Sequence, residues 1–185
     1  FVMRKVLITG ASDGIGRAIA IRLSKEGYKL VLFGRSEDKL KSVSEECGEA
    51  EIFAFDINDT KERNEVLTNI NDVDVLINNA GIWQKIGDLE TVSDEDITEI
   101  INTNLLSQIQ LTKALLPSMR KKQGSAIINV ISKSGVVAQV GQSVYTASKF
   151  GMRGFTDVLR EDTKDEPIRI GAVYQSGTNT QMFAK

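Results

Sequence analysis

The chain has 185 residues, 41% of them hydrophobic, and its 23 basic against 25 acidic side chains leave a formal charge of -2; that is long enough to bury one core, and too evenly balanced to capture nucleic acid by charge, the short Arg120-Lys121-Lys122 run aside. It contains no histidine, which excludes Ser-His-Asp hydrolysis, Cys-His chemistry and His-ligated zinc, so no metal site is expected and any proton transfer near neutrality falls to a group whose pKa has been moved there. Cys47 is the only cysteine, no apolar run approaches the ~20 residues that span a bilayer, and no signal-peptide layout opens the chain, so a reducing, cytoplasmic setting without a membrane partner is expected.

Short apolar runs alternate with segments of helical period, the signature of a βαβ series. Phe1 and Val2 precede Met3 and stand outside the fold reading. A strand over Lys5–Thr9 leads through a glycine turn into a helix over 15–26; a strand over 29–33 and a helix over 37–46 follow, then a strand over Glu51–Ala54 and a helix over 60–69. The strand over 73–78 carries Val73, Val75, Leu76 and Ile77 on both faces, as parallel strands covered on both sides do. Next comes a helix over 94–122, with Ser93 as N-cap and Asp94, Glu95 and Asp96 at its positive end; Pro117 should end it early or kink it. A strand over 125–130, a helix over 144–164 and a strand over 168–173 complete the series. No repeat or linker divides it, so the expectation is a single doubly wound α/β domain over 3–185, a three-layer Rossmann fold with a parallel sheet in the order 3-2-1-4-5-6.

Ligands in such sheets lie beyond the carboxyl ends of the strands. After the first strand stands Thr9-Gly10-Ala11-Ser12-Asp13-Gly14-Ile15-Gly16. Gly10 can make the tight turn, Gly14 can let the backbone approach a pyrophosphate, and Gly16 can let the helix pack closely on the sheet. A glycine turn that holds nothing is the alternative; a strand before it and a helix after it favour the dinucleotide. After the second strand, where a carboxylate would grip a ribose 2′-hydroxyl, Gly34-Arg35 stands instead. Arg35 can bind a 2′-phosphate, so NADP(H) is preferred and NAD(H) is kept open, since Arg35 could be an ordinary loop residue and Asp13 would oppose a phosphate. Asp56-Ile57 after the third strand can meet an adenine, and Asn79-Ala80-Gly81 after the fourth can admit its ribose, although these residue types also favour ordinary turns.

Tyr145 and Lys149, at i and i+4, share one helical face. A phenol with pKa near 10 is a poor acid at neutral pH; a neighbouring cation is expected to lower that value and make the pair a usable proton donor and acceptor. Ser132, ending the fifth strand, can polarise a carbonyl or can simply cap a turn.

In order and spacing, Thr9-Gly10-x-x-x-Gly14-x-Gly16, Asn78-Asn79-Ala80-Gly81, Ser132 and Tyr145-x-x-x-Lys149 resemble the motifs of the short-chain dehydrogenase/reductase family, and the resemblance runs from Lys5 to Thr180. It implies hydride transfer between a nicotinamide and a small carbonyl or alcohol substrate, with Tyr145 exchanging the proton, Ser132 binding the reacting oxygen and Lys149 holding the nicotinamide ribose. It also implies a fourth catalytic residue, Asn104, with Asn102 as the lesser choice, and contacts to the cofactor from Thr178 and Thr180. Homodimers or homotetramers built on the fourth and fifth helices are implied, for which Ile97, Ile100, Ile101, Leu105, Ile109, Phe150 and Phe155 offer an apolar series. Two departures stand out. Gln175-Ser176 replaces the family's usual Pro-Gly, and the residues end at Lys185, where family members continue through a substrate lid, another helix and a seventh strand, so the expectation is either a disordered or deleted tail that the sequence omits or an incomplete substrate pocket; Trp83, Lys133, Gln139, Gln142 and Met182 line what is present, unless Trp83 packs under a loop instead. Both departures favour an alternative function, a cofactor-binding but catalytically silent regulatory or assembly module; the complete Asn-Ser-Tyr-Lys set favours the enzyme.

Overall fold

The computed structural model describes residues 4–70 and 72–177. Its strands are β1 (Lys5–Thr9), β2 (Lys29–Gly34), β3 (Glu51–Ala54), β4 (Val75–Asn78), β5 (Ala126–Val130) and β6 (Arg169–Val173), and its main helices are α1 (Gly14–Lys25), α2 (Glu37–Cys47), α3 (Thr60–Thr68), α4 (Asp94–Ile101), α5 (Ser107–Met119) and α6 (Ser143–Asp162). Every pairing is parallel, and the sheet runs β3-β2-β1-β4-β5-β6, the expected order. Two apolar clusters cover it. One gathers Leu7, Val31, Phe33, Leu76, Ile127 and Leu111; the other gathers Val6, Ile8, Leu30, Leu32, Ile77 and Leu40. Neighbouring residues of β1 fall into different clusters because successive side chains of a strand point to opposite faces.

The expected helix over 94–122 is two helices. Ser93 caps the first, its hydroxyl accepting the Asp96 N–H at 3.0 Å, but at Asn102–Leu106 the backbone widens into a π-helical turn before α5 begins. Side-chain periodicity barely registers such a turn, because it adds a single residue to one loop of an otherwise continuous helix. Pro117 sits in the last turn of α5, where it removes one backbone donor, and the helix ends at Met119, three residues short of the expected boundary.

The β1–α1 turn packs without spare volume. Gly10 adopts φ +64°, and a methyl group on it would stand 2.8 Å from the Ala80 Cα; a methyl on Gly16 would collide with the Gly10 carbonyl oxygen and stand 2.5 Å from Asn79 Nδ2. Gly16→Ala therefore has to push α1 away from β4. It is expected to cost about 1–3 kcal/mol of stability, read as a lower urea midpoint.

Candidate active site

The carboxyl ends of β1 to β5 and the first turns of α6 surround an open cleft of about 1290 Å³, large enough for a dinucleotide and a small substrate together. The turn after β1 contributes Gly10, Ser12, Asp13, Gly14 and Ile15; Gly34 and Arg35 follow from β2, Asp56 and Ile57 from β3, and Asn79, Ala80 and Gly81 from β4. Ser132, Tyr145 and Lys149 line the same cleft, as do Trp83, Lys133, Gln139 and Gln142. Thr178, Thr180 and Met182 lie outside the described residues. Residues that sit far apart in sequence meet here because each follows a parallel strand, and parallel strands deliver all their carboxyl ends to one edge.

Three of the expected residues, Thr9, Gly16 and Asn104, do not line the cleft and instead brace it from behind. The Thr9 hydroxyl is fully buried and accepts the N–H groups of Asn79 and Ala80, both at 2.9 Å. It donates to Gln108 Oε1 at 3.2 Å, while Gln108 Nε2 donates to the Ala80 carbonyl at 3.2 Å. Gln108 was legible only as a polar residue four positions after Asn104 in an apolar series. Asn104, in the π-turn, accepts the Ile82 N–H at 2.7 Å and donates to the Ile82 carbonyl at 2.9 Å and to Ser148 Oγ at 3.1 Å. Of Asn102 and Asn104, it is Asn104 that grips the segment after β4.

Ser132 caps a turn and also faces Tyr145. Its Oγ accepts the Ser134 N–H at 3.1 Å, capping the short turn Lys133–Gly135, and it also hydrogen-bonds the Tyr145 side chain. Tyr145 is buried, and burial pushes its phenol above the ordinary value, opposed by the Ser132 hydrogen bond. This corrects the expectation that Lys149 lowers it. The Lys149 ammonium lies 5.6 Å from the centre of the Tyr145 ring, over its face, and its Nζ is 3.5 Å from the Val130 carbonyl. Burial brings the Lys149 pKa down to about 8. Desolvation disfavours the charged form of each group, so it drives the phenol up and the ammonium down.

At the opposite end of the cleft the cations are engaged. Arg35 pairs with Glu99 at 3.6 Å, and Lys39, which the sequence reading passed over, pairs with Asp13 at 2.8 Å. The Lys39 hydrogen bond and that from the Gly14 N–H hold the Asp13 carboxyl below its usual range. Both pairs are largely exposed and so are weakly held. The loop after β6 is tied in by its backbone: the Lys133 N–H donates to the Gln175 carbonyl at 2.7 Å, so Gln175-Ser176 adjoins the cleft. The glycine turn and the start of α1 face the cleft together with the exposed Arg35 guanidinium, a donor, and the exposed Asp56 carboxylate, an acceptor, and this set fits a dinucleotide. Among the described residues no helix is long and apolar enough to cross a membrane, and no cluster of metal-ligating side chains occurs.

Comparison with known proteins agrees with this geometry. The family described as short chain dehydrogenase matches residues 4–185. The 3-oxoacyl-[acyl-carrier-protein] reductase of Vibrio harveyi is 36% identical over 181 residues, 95% of this chain and 74% of that one. Among solved structures, a closed form of serine dehydrogenase complexed with NADP+ superposes with a TM-score of 0.91 at 30% identity, over 96% of this chain and 74% of that one. An actinorhodin polyketide ketoreductase with NADPH gives 0.91 at 31% identity, over 98% and 73%.

The buried ammonium has a pH signature. Its pKa is about 8 in the folded chain against 10.5 for the free group, so between those values the unfolded chain holds the proton more tightly and the folded state gains stability as pH rises. Lys149→Met has no such group. Relative to the parent, it is expected to gain on the order of 3 kcal/mol below pH 8 and to lose that gain progressively towards pH 10.5, in urea unfolding curves taken across the range.

Proposed function

The chain belongs to the short-chain dehydrogenase family of oxidoreductases, and from that premise we propose that it is an NADP(H)-dependent carbonyl reductase with Tyr145 as its general acid and base. One observation carries the reading: Ser132, Tyr145 and Lys149 meet on one wall of a cleft whose remaining walls are the glycine turn and the segments after β2, β3 and β4. A bound nicotinamide supplies the hydride, two electrons to the carbonyl carbon. The protein supplies the proton. Burial keeps it on the Tyr145 oxygen, the state a reduction requires, and Tyr145 delivers it to the substrate oxygen. Ser132 donates a hydrogen bond to that same oxygen as negative charge gathers there. Lys149 stabilises the phenolate left behind, because a nearby cation gains most when the opposite charge appears in a dry site.

Gly10, Ser12, Gly14, Ile15 and the start of α1 would hold the diphosphate, Asp56 and Ile57 the adenine, and Asn79, Ala80 and Gly81 the adenosine ribose; Thr9 and Gly16 act through the backbone they brace, and Asn104 through Ile82. NADP(H) is favoured over NAD(H) because no carboxylate follows β2 directly and both Arg35 and Lys39 line the cleft there. Their acidic partners, Glu99 and Asp13, would have to yield to a 2′-phosphate. The relatives' names point to 3-oxoacyl thioesters as the first substrates to try. The half-buried Ile97, Ile101, Leu105 and Ile109, with exposed Leu106 and Phe150, form the face through which chains would pair as dimers or tetramers.

Followed as loss of NADPH absorbance with a 3-oxoacyl thioester, Tyr145→Phe should turn over on the order of 10²–10⁴-fold more slowly while binding NADPH as the parent does; equal turnover would remove Tyr145 from the mechanism. Glu99→Gln frees Arg35, and in a fluorescence titration it should strengthen NADPH binding about two- to fivefold relative to NADH. No change in that ratio would take Arg35 out of the 2′-phosphate site.

A further inference from the structure

Resting on the reductase reading above, we propose that Gln84 is a positioning residue for Tyr145, capping the helix that carries the phenol from a different element of the fold. The first N–H groups of any helix have no acceptor within it, and the residue just before the helix ordinarily supplies one from its side chain. α6 is an exception. Its own N-cap residue, Gln142, makes no side-chain bond to the helix. The acceptor comes instead from the segment after β4: Gln84 Oε1 takes the Val144 N–H at 2.9 Å and the Tyr145 N–H at 3.0 Å.

Gln84 is only 2% exposed, which is unusual for an uncharged polar side chain in a loop unless its bonds are met. Its Nε2 faces the Gly141 carbonyl at 3.5 Å, and the Gly87 N–H donates to that same carbonyl at 3.1 Å. One carboxamide thus spans the turn before α6 and the first turn of α6. Two residues upstream, Ile82 is held at both its N–H and its carbonyl by Asn104, and Asn79 and Ala80 are held by Thr9. The cap is therefore anchored to the same rigid segment that forms the cofactor wall. Because the Tyr145 amide is itself one of the two capped groups, the bond sets where the Tyr145 side chain departs relative to that wall. A displacement of about 1 Å at a reacting group can cost on the order of 10²-fold in rate, so the cap, whose residue borders the same cleft, acts on catalysis through the placement of Tyr145. A carboxamide does this without adding charge beside the phenol.

The test compares Gln84→Met, which keeps the length and removes the acceptor, with Gln84→Glu, which restores an acceptor oxygen. Amide hydrogen exchange is read at Val144 and Tyr145, and turnover is read with NADPH and ethyl acetoacetate. In Gln84→Met, protection at those two amides should be lost and kcat should fall about tenfold or more, with the NADPH dissociation constant unchanged; Gln84→Glu should recover the protection and most of the turnover. Unchanged exchange and kcat in Gln84→Met would overturn the proposal. So would a parallel fall in kcat, NADPH affinity and melting temperature that Gln84→Glu does not recover, the mark of a glutamine that merely holds the fold. If the parent chain reduces no carbonyl compound, the reductase reading fails by itself, and the exchange measurement still decides whether Gln84 caps the helix.

Discussion

A lysine ammonium enclosed by the protein is the constraint around which this site is organised. Lys149 is 5% exposed, and among the described residues no carboxylate pairs with it. Burying an unpaired charge is among the costliest things a fold can do, and proteins respond by weakening the charge itself. Lys149 does so, its pKa falling to about 8. The same dry surroundings push the Tyr145 phenol the other way. Burial alone leaves the pair with its proton on oxygen and an ammonium that is easily discharged. A negative charge formed on the phenol would oppose both shifts, because opposite charges this close favour one another. The pair is best understood as one coupled unit and not as a lysine that tunes a tyrosine.

Around this titrating pair, the bracing is done by groups that do not titrate. Asn79, Asn104, Gln108 and Gln84 each use both ends of a carboxamide, or one end twice, to fasten a backbone segment that borders the cleft. A carboxamide offers donor and acceptor at once and stays neutral at every physiological pH. The framework's hydrogen bonds therefore do not depend on the protonation of the carboxamides that make them. Beneath it the pattern continues: Asn78 donates to Asn129 and Thr112, and Asn129 to Thr156, linking β4 and β5 to α5 and α6.

At the far end of the cleft a different economy holds. The Arg35–Glu99 and Lys39–Asp13 pairs are solvent-facing and so are held weakly. The two ends thus differ by solvation: dry around Tyr145 and Lys149, wet around Arg35 and Lys39.

Much of this was written in the amino-acid order. Runs such as Val75, Leu76 and Ile77, apolar on both faces, demand a covered parallel strand. Gly10 suits a tight turn that needs a positive φ, and the i, i+4 spacing of Tyr145 and Lys149 follows from helical geometry alone. Such features depend on near neighbours or on a repeating period, which is why they can be read without coordinates. The π-turn at Asn102–Leu106, the bracing by Gln108 and Gln84, the pairing of Arg35 with Glu99 and the direction of the Tyr145 shift could not be read in that way. Each depends on which distant segments become neighbours and on how much water they exclude, and packing alone decides both.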